Sequence, residues 1–263
     1  MPPKNSEVRF WRIIVRISSL SLLLLLLGSG AQADIRLSLH EAYTQEEASR
    51  YCRELGNGWR QMEIAELFAL PSGTSFGENF SYWSANQGPS DKTVIGSGSE
   101  GDGGIIATVG YAYYPKERNI TLSPPNKRIA AACTDAPRPV RKRDYALTPE
   151  GTLDRESGLL WHSLDATDKR AKYTFAAAEA MCENLTLHGR NWRLPTLEEL
   201  YGIVDYARFR PTVDMQYFGP MMHRYYWSSD ELNANEAYVV GFKLGSVATA
   251  AKKEEAYARC VSE

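Results

Sequence analysis

"YTFAAAEAMCENLTLHGRNWRLPTLEELYGIV", residues 173–204, is where the fold can be read first. Thr174 stands where a helix cap belongs. Ala178, Met181, Cys182 and Leu185 then recur at three- and four-residue spacing, which places them on one helical face. After Trp192-Arg193 a second helix opens. Thr196 and Glu199 have the spacing of a capping box, and Leu197, Leu200, Ile203 and Val204 form the apolar side. On either side, "SGLLWHSL" (157–164) and "AYVVGFKLG" (237–245) read as strands. Early helices followed by a run of short strands indicate an α+β fold rather than a parallel α/β sheet.

The same landmarks occur once before, in the same order. "YTQEEASRYCRELGNGWRQMEIAELFAL" (43–70) and "SYWSAN" (81–86) end at "RIAAAC" (128–133), while the later copy continues to "YYWSSD" (225–230) and "AYARCV" (256–261). Thr44 precedes Cys52 by the same eight residues that separate Thr174 from Cys182. Trp59 precedes Glu66 as Trp192 precedes Glu199. Thr44 and Glu47 form a further capping-box pair, with Ala48, Tyr51, Cys52 and Leu55 on the buried face. "IRLSLH" (35–40) and "GIIATVGYAYY" (104–114) supply strands. An ordered set of matches argues for duplication: two tandem modules, each with two helices and a small, mainly antiparallel sheet. The modules span residues 34–133 and 145–263. Residues 134–144, "TDAPRPVRKRD", read as a linker, with Arg138, Arg141, Lys142 and Arg143 solvated along it or forming an anion-binding patch.

Residues 1–33 carry four basic residues, an apolar run from Ile17 to Leu27 and an Ala-Gln-Ala ending. This reads as a secretory signal cut after Ala33, the alternative being a retained membrane anchor. Cleavage leaves a periplasmic or secreted chain with no stable membrane insertion. It would have 26 basic against 31 acidic side chains, a net charge of −5. A mildly acidic protein has no global field for nucleic acid. Four cysteines in an exported chain suggest two disulfides. Each copy has one cysteine on its first helix and one at its last strand, so the expected pairs are Cys52–Cys133 and Cys182–Cys260.

No catalytic or metal-binding set can be assembled. His40, His162, His188 and His223 lack metal-ligand spacing, and "GSGSEGDGG" (96–104) offers only Glu100 and Asp102 as carboxylates, so no metal or cofactor is expected. The repeated Trp59-Arg60 and Trp192-Arg193 pairs belong to the module and are read as structural. The tryptophan should pack under the strands, with the arginine bonding carboxylate or carbonyl groups at the helix start. Trp83 and Trp227, in Tyr-Trp-Ser motifs, are assigned to a buried turn. The ligand-binding candidates lie in or beside the long loop at 206–226: Arg208, Arg210, Tyr217, Arg224 and Tyr225. Aromatic rings beside arginine suit sugars or a protein partner, and a loop folded on its own aromatics is the other reading.

"LDRESGLLWHSL", "GRNWRLPTLEEL", "YYWSSD" and "AYARCV" together resemble the Lcl C-terminal domain family over about residues 145–263. The first copy resembles it more weakly, because Leu-Pro-Thr is replaced by Gln61-Met62-Glu63 and the Gly-Leu-x-Trp strand is missing. The resemblance implies exported bacterial modules of C-type-lectin-like architecture. With no catalytic set in the chain, the expected role is non-enzymatic binding or adhesion at the cell envelope, with a glycan or an envelope protein as partner. The alternative is a structural or docking component of an envelope assembly. In the adhesin that names the family the module binds sulfated glycosaminoglycans. That chemistry needs clustered cations, and this chain is net acidic.

Overall fold

A computed structural model describes residues 33–38, 42–71, 74–76, 80–87, 110–139, 143–163, 170–208 and 210–263. The leader, His40, the acidic Gly-rich stretch at 96–104 and the linker residues Arg141 and Lys142 lie outside the described residues. The protein is an α+β fold dominated by sheet. Its first half comprises β1 (Ile35–Leu37), α1 (Gln45–Glu54), β2 (Arg60–Gln61), α2 (Ile64–Phe68), β3 (Tyr82–Gln87), β4 (Gly110–Tyr114), β5 (Asn119–Ser123) and β6 (Ala130–Thr134). The second half comprises the hairpin β7 (Tyr145–Thr148) and β8 (Gly151–Asp154), then β9 (Leu160–His162), α3 (Phe175–Glu183), α4 (Leu197–Gly202), α5 (Met215–Phe218), β10 (Tyr225–Glu231), β11 (Glu236–Gly241), β12 (Ser246–Ala251) and β13 (Val261–Ser262).

The helices start where the caps place them. Thr44 accepts from Glu47 N–H while Glu47 accepts from Thr44 N–H, and Thr196 and Glu199 repeat the arrangement. Thr174 is an N-cap by position but makes no side-chain cap bond. The third helical residue there is Ala177, which has no carboxylate to close a box, and the first helical N–H, from Phe175, donates instead to Lys252 O at 3.0 Å. The second helices gain a donor bond from across the sheet. Ile64 N–H reaches Asn86 Oδ1 at 2.7 Å, and Leu197 N–H reaches Asp230 Oδ2 at 2.5 Å.

Two expectations change in detail. The Tyr-Trp-Ser motifs are strands rather than turns, because Tyr82 and Trp83 pair in parallel with Ala130 and Ala131 and Tyr226 bridges in parallel to Tyr257. In place of two small sheets, one nine-stranded sheet runs through both halves in the order β1-β6-β3-β4-β5-β12-β11-β10, with β2 paired to β6. A four-stranded sheet, β13-β9-β8-β7, lies in the second half. The halves join where Ile120 of β5 pairs with Val247 of β12. Two adjoining edges with no β-breaking residue at the contact complete one another's backbone bonding, which explains the fusion.

The core follows the same plan. The largest apolar cluster crosses the joint, bringing Phe68, Tyr113 and Ile120 together with Leu200, Tyr201, Phe242 and Val247. Each half also has its own cluster around a disulfide. Ala48 and Trp83 surround Cys52–Cys133; Ala178, Trp192 and Trp227 surround Cys182–Cys260. Both predicted disulfides are formed, with Cα–Cα distances of 5.3 and 5.5 Å. The linker is held at both ends. Arg60 donates to the carbonyls of Ala136 and Pro137, both at 2.9 Å, and Arg143 pairs with Asp205 at 2.9 Å.

Candidate functional site

The Trp-Arg pairs are built into the backbone framework. Arg193 lies on a short ladder with Val261, its N–H donating to Val261 O at 3.0 Å and its own carbonyl accepting at 2.9 Å. That ladder aims the guanidinium at α4, where it grips Glu199 in two-pronged fashion at 2.8 and 2.9 Å and also donates to Leu194 O. Arg60 grips Glu66 in the same way, with both bonds at 2.7 Å. The carboxylate is shared between the arginine and the cap. Burial pushes the Glu199 carboxyl up, but hydrogen bonds from Arg193 and Thr196 outweigh that effect and hold it below the usual carboxylate range.

The tryptophans sit deeper. Trp83 and Trp227 are fully buried, and their indole N–H groups donate to the carbonyls of Tyr43 and Tyr173 at 2.9 and 2.8 Å, locking the start of each first helix to the sheet. Trp192 is buried and donates to Leu187 O at 3.1 Å. Trp59 is only half-buried and lies under the Arg36 guanidinium, 4.8 Å from its ring centre.

The loop candidates do not converge. Arg208 is engaged by Asp205 and Asp214, at 3.1 and 2.7 Å. Arg210 is exposed with φ of 49°. Tyr217 packs against Tyr145 and the large core cluster. Tyr225 lies on β10 against the second half's disulfide cluster instead. Arg224, half-buried just before β10, accepts Phe242 N–H on its carbonyl at 3.0 Å. Phe218, Met221 and Tyr226 are buried, so much of the loop is folded on its own aromatics.

Sequence reasoning passed over Arg190, around which a surface concavity forms, and read its neighbours there, Trp192 and Arg193, as structural. The 3₁₀ turn at Leu187–Gly189 places His188 and Gly189 at φ of 56° and 65°, turning the chain sharply into Arg190. Arg190 reaches Glu150, on the β7–β8 turn, at 2.8 Å and Glu263 O at 2.9 Å. Its side chain is the wall between two adjoining hollows. One, of about 490 Å³, is lined by Asn191, Arg193, Ser262 and Glu263. The other, of about 370 Å³, has Pro149, Leu153 and Leu160 on its apolar side and His188 at its edge. Charges alternate around the wall: Arg190 and Arg193 face Glu150, Glu199 and Glu263. The pair "GR" ahead of "NWRLP" was the available signal, since Arg190 stands three residues before Arg193 where Asn57 stands three before Arg60.

Arg259 is a further buried cation, 1% exposed. It donates to Phe218 O at 2.5 Å and its guanidinium lies 5.3 Å from the Phe218 ring centre, while burial pulls its pKa down to about 10.

Residues 150–262 match the family model described as the Lcl C-terminal domain. Over that segment the chain is similar to the Lcl C-terminal domain family. No curated protein matches the chain. The matched segment contains β8 to β13, the Cys182–Cys260 disulfide, the Trp192-Arg193 motif and most of the wall around Arg190. Among the described residues no helix is long and apolar enough to cross a membrane.

Proposed function

We propose that the chain is a non-enzymatic, exported binding protein of the bacterial cell envelope, and that its Lcl C-terminal domain takes a hydroxyl-rich glycan against Arg190. The observation that supports this reading is the alternation of guanidinium and carboxylate along the wall, beside an apolar groove. A sugar hydroxyl both donates and accepts, so it can bridge an Arg190–Glu150 pair that already satisfies itself, while the sugar's C–H face covers Leu153 and Leu160. A sulfated polymer would have to displace Glu150 and Glu263 from the arginine, at the cost of those charge-assisted bonds. Binding is then expected to depend little on salt and to survive chelation. Two disulfides suit an oxidising compartment, periplasmic or extracellular. The matched contacts in the two halves support a tandem duplication of C-type-lectin-like architecture in which the first copy has lost this wall.

Residues 34–263 on a glycan array, with calcium and with chelator, test the reading. Selective binding weakened at least tenfold by Arg190→Ala, with the melting temperature retained, is the expected result. A blank array from a folded, disulfide-bonded sample would discard it. A docking role in an envelope assembly is the second reading. It rests on β7, the edge strand of the four-stranded sheet, where Leu147 is 62% exposed. Recovery of one stoichiometric protein partner, lost on Leu147→Lys, would favour it.

A further inference from the structure

The two halves meet through equivalent residues. Ile120 and Val247, paired across the β5–β12 joint, each stand 13 residues before the last cysteine of their half, Cys133 and Cys260. Phe68 and Tyr201, whose rings lie 4.5 Å apart, each stand nine residues after the tryptophan of the Trp-Arg motif, Trp59 and Trp192. A third relation is reciprocal. Tyr111 of β4 donates to Leu244 O in the β11–β12 turn at 2.7 Å, while its counterpart Tyr238 of β11 lies within electrostatic range of Arg118 and Glu117 in the β4–β5 turn. Arg118 and Gly245, again equivalent in position, are both left-handed at φ of 51° and 74°. An antiparallel pair whose opposed residues are equivalents lies on a local two-fold axis, as in an isologous dimer.

We infer that this joint is an isologous pairing surface, so that β12 and Tyr201 of the second half accept, in place of the first half, the same surface on a second copy of this chain. The first half holds the site by two means. It is tethered through residues 134–144, which gives it a high local concentration. It also carries Arg118, which pairs with Glu198 at 2.5 Å and lies over the Phe68 ring at 4.9 Å. The counterpart Gly245 has no charge to offer Glu198, so a pair of second halves lacks this ion pair and the internal arrangement is preferred. The wild-type chain is accordingly a monomer.

The test uses residues 34–263, oxidised, carrying Val247→Cys alone or together with Ile120→Asp. Val247 is fully buried, so in the single variant the new thiol stays unreactive and the sedimentation mass is that of one chain. With Ile120→Asp a charge faces β12, the joint opens, the mass doubles, and peptide mapping finds a bond between the two introduced thiols at position 247. A chain with both native disulfides and an unchanged far-UV spectrum that remains monomeric overturns the inference. So does a dimer whose thiols at 247 stay reduced. Should Ile120→Asp abolish folding, the same readouts apply to Phe68→Ala/Arg118→Gly with Val247→Cys. Its Gly suits the left-handed backbone at that position.

Discussion

At the scale of single residues, Glu199 shows why a cap and a salt bridge are more informative together than apart. Its carboxylate accepts Thr196 N–H at 2.7 Å and both prongs of Arg193. Because its folded pKa lies below the ordinary value of 4.5, its stabilising contribution is fully present above that value and is lost as pH falls through the folded one. Glu199→Gln is expected to cost about 1.5–3 kcal/mol at neutral pH, the range for hydrogen bonds to a charged group. Urea midpoints compared from pH 7 down to pH 3 should show the gap between variant and wild type closing. A gap that persists at pH 3 would mean that shape, and not charge, holds this corner. The capping box and the arginine's helix-start partner were legible in the sequence, because both follow from local spacing. Arg190 was not, since its partners Glu150 and Glu263 are 40 and 73 residues away.

At the scale of elements, indole donors pin the sheet strands to the starts of α1 and α3. Trp227→Phe keeps the ring's bulk but removes one of the two donors to Tyr173 O, leaving it the Ala256 N–H at 3.0 Å. The expected loss is about 0.5–1.5 kcal/mol, the net contribution of one hydrogen bond. Trp83→Phe should cost a similar amount through Tyr43 O, and melting temperatures of the two variants would check it. A loss confined to one of them would mean that the two helix starts are not built alike. The helices and their buried faces could be read from periodicity, but the strand assignment of Tyr-Trp-Ser could not. Parallel pairing with a segment 30 to 50 residues later leaves no local trace. The Asn86 and Asp230 bonds to α2 and α4 were visible as an Asn or Asp three residues after each Trp, although their helix partners were not.

At the scale of the whole molecule, the shared core means that neither half should melt by itself. Removing Cys182–Cys260 as a pair of alanines is expected to cost about 4 kcal/mol, the chain-entropy figure for a loop of this size. Removing Cys52–Cys133 should cost nearly the same, because the two bonds span 78 and 81 residues. Denaturant curves should move as one cooperative transition in both cases. Two separated transitions would show that the β5–β12 joint is weaker than either half. The disulfide pairing followed from the landmarks shared by the two halves, which place one cysteine on a first helix and one at a last strand in each. The fused sheet did not, because the edges that meet in β5 and β12 carry no mark distinguishing a free edge from a paired one.

The placement of the disulfides also bears on tension. If one end of the chain is held at the envelope while a bound surface pulls at the other, each bond keeps shut the segment it spans, 81 residues in one half and 78 in the other. At about 3.4 Å per extended residue, that withholds on the order of 500 Å of slack. An oxidised chain under load lengthens through residues outside the two bonded loops, among them those between Cys133 and Cys182. It therefore behaves as a short stiff leash where the reduced chain would be a long soft one.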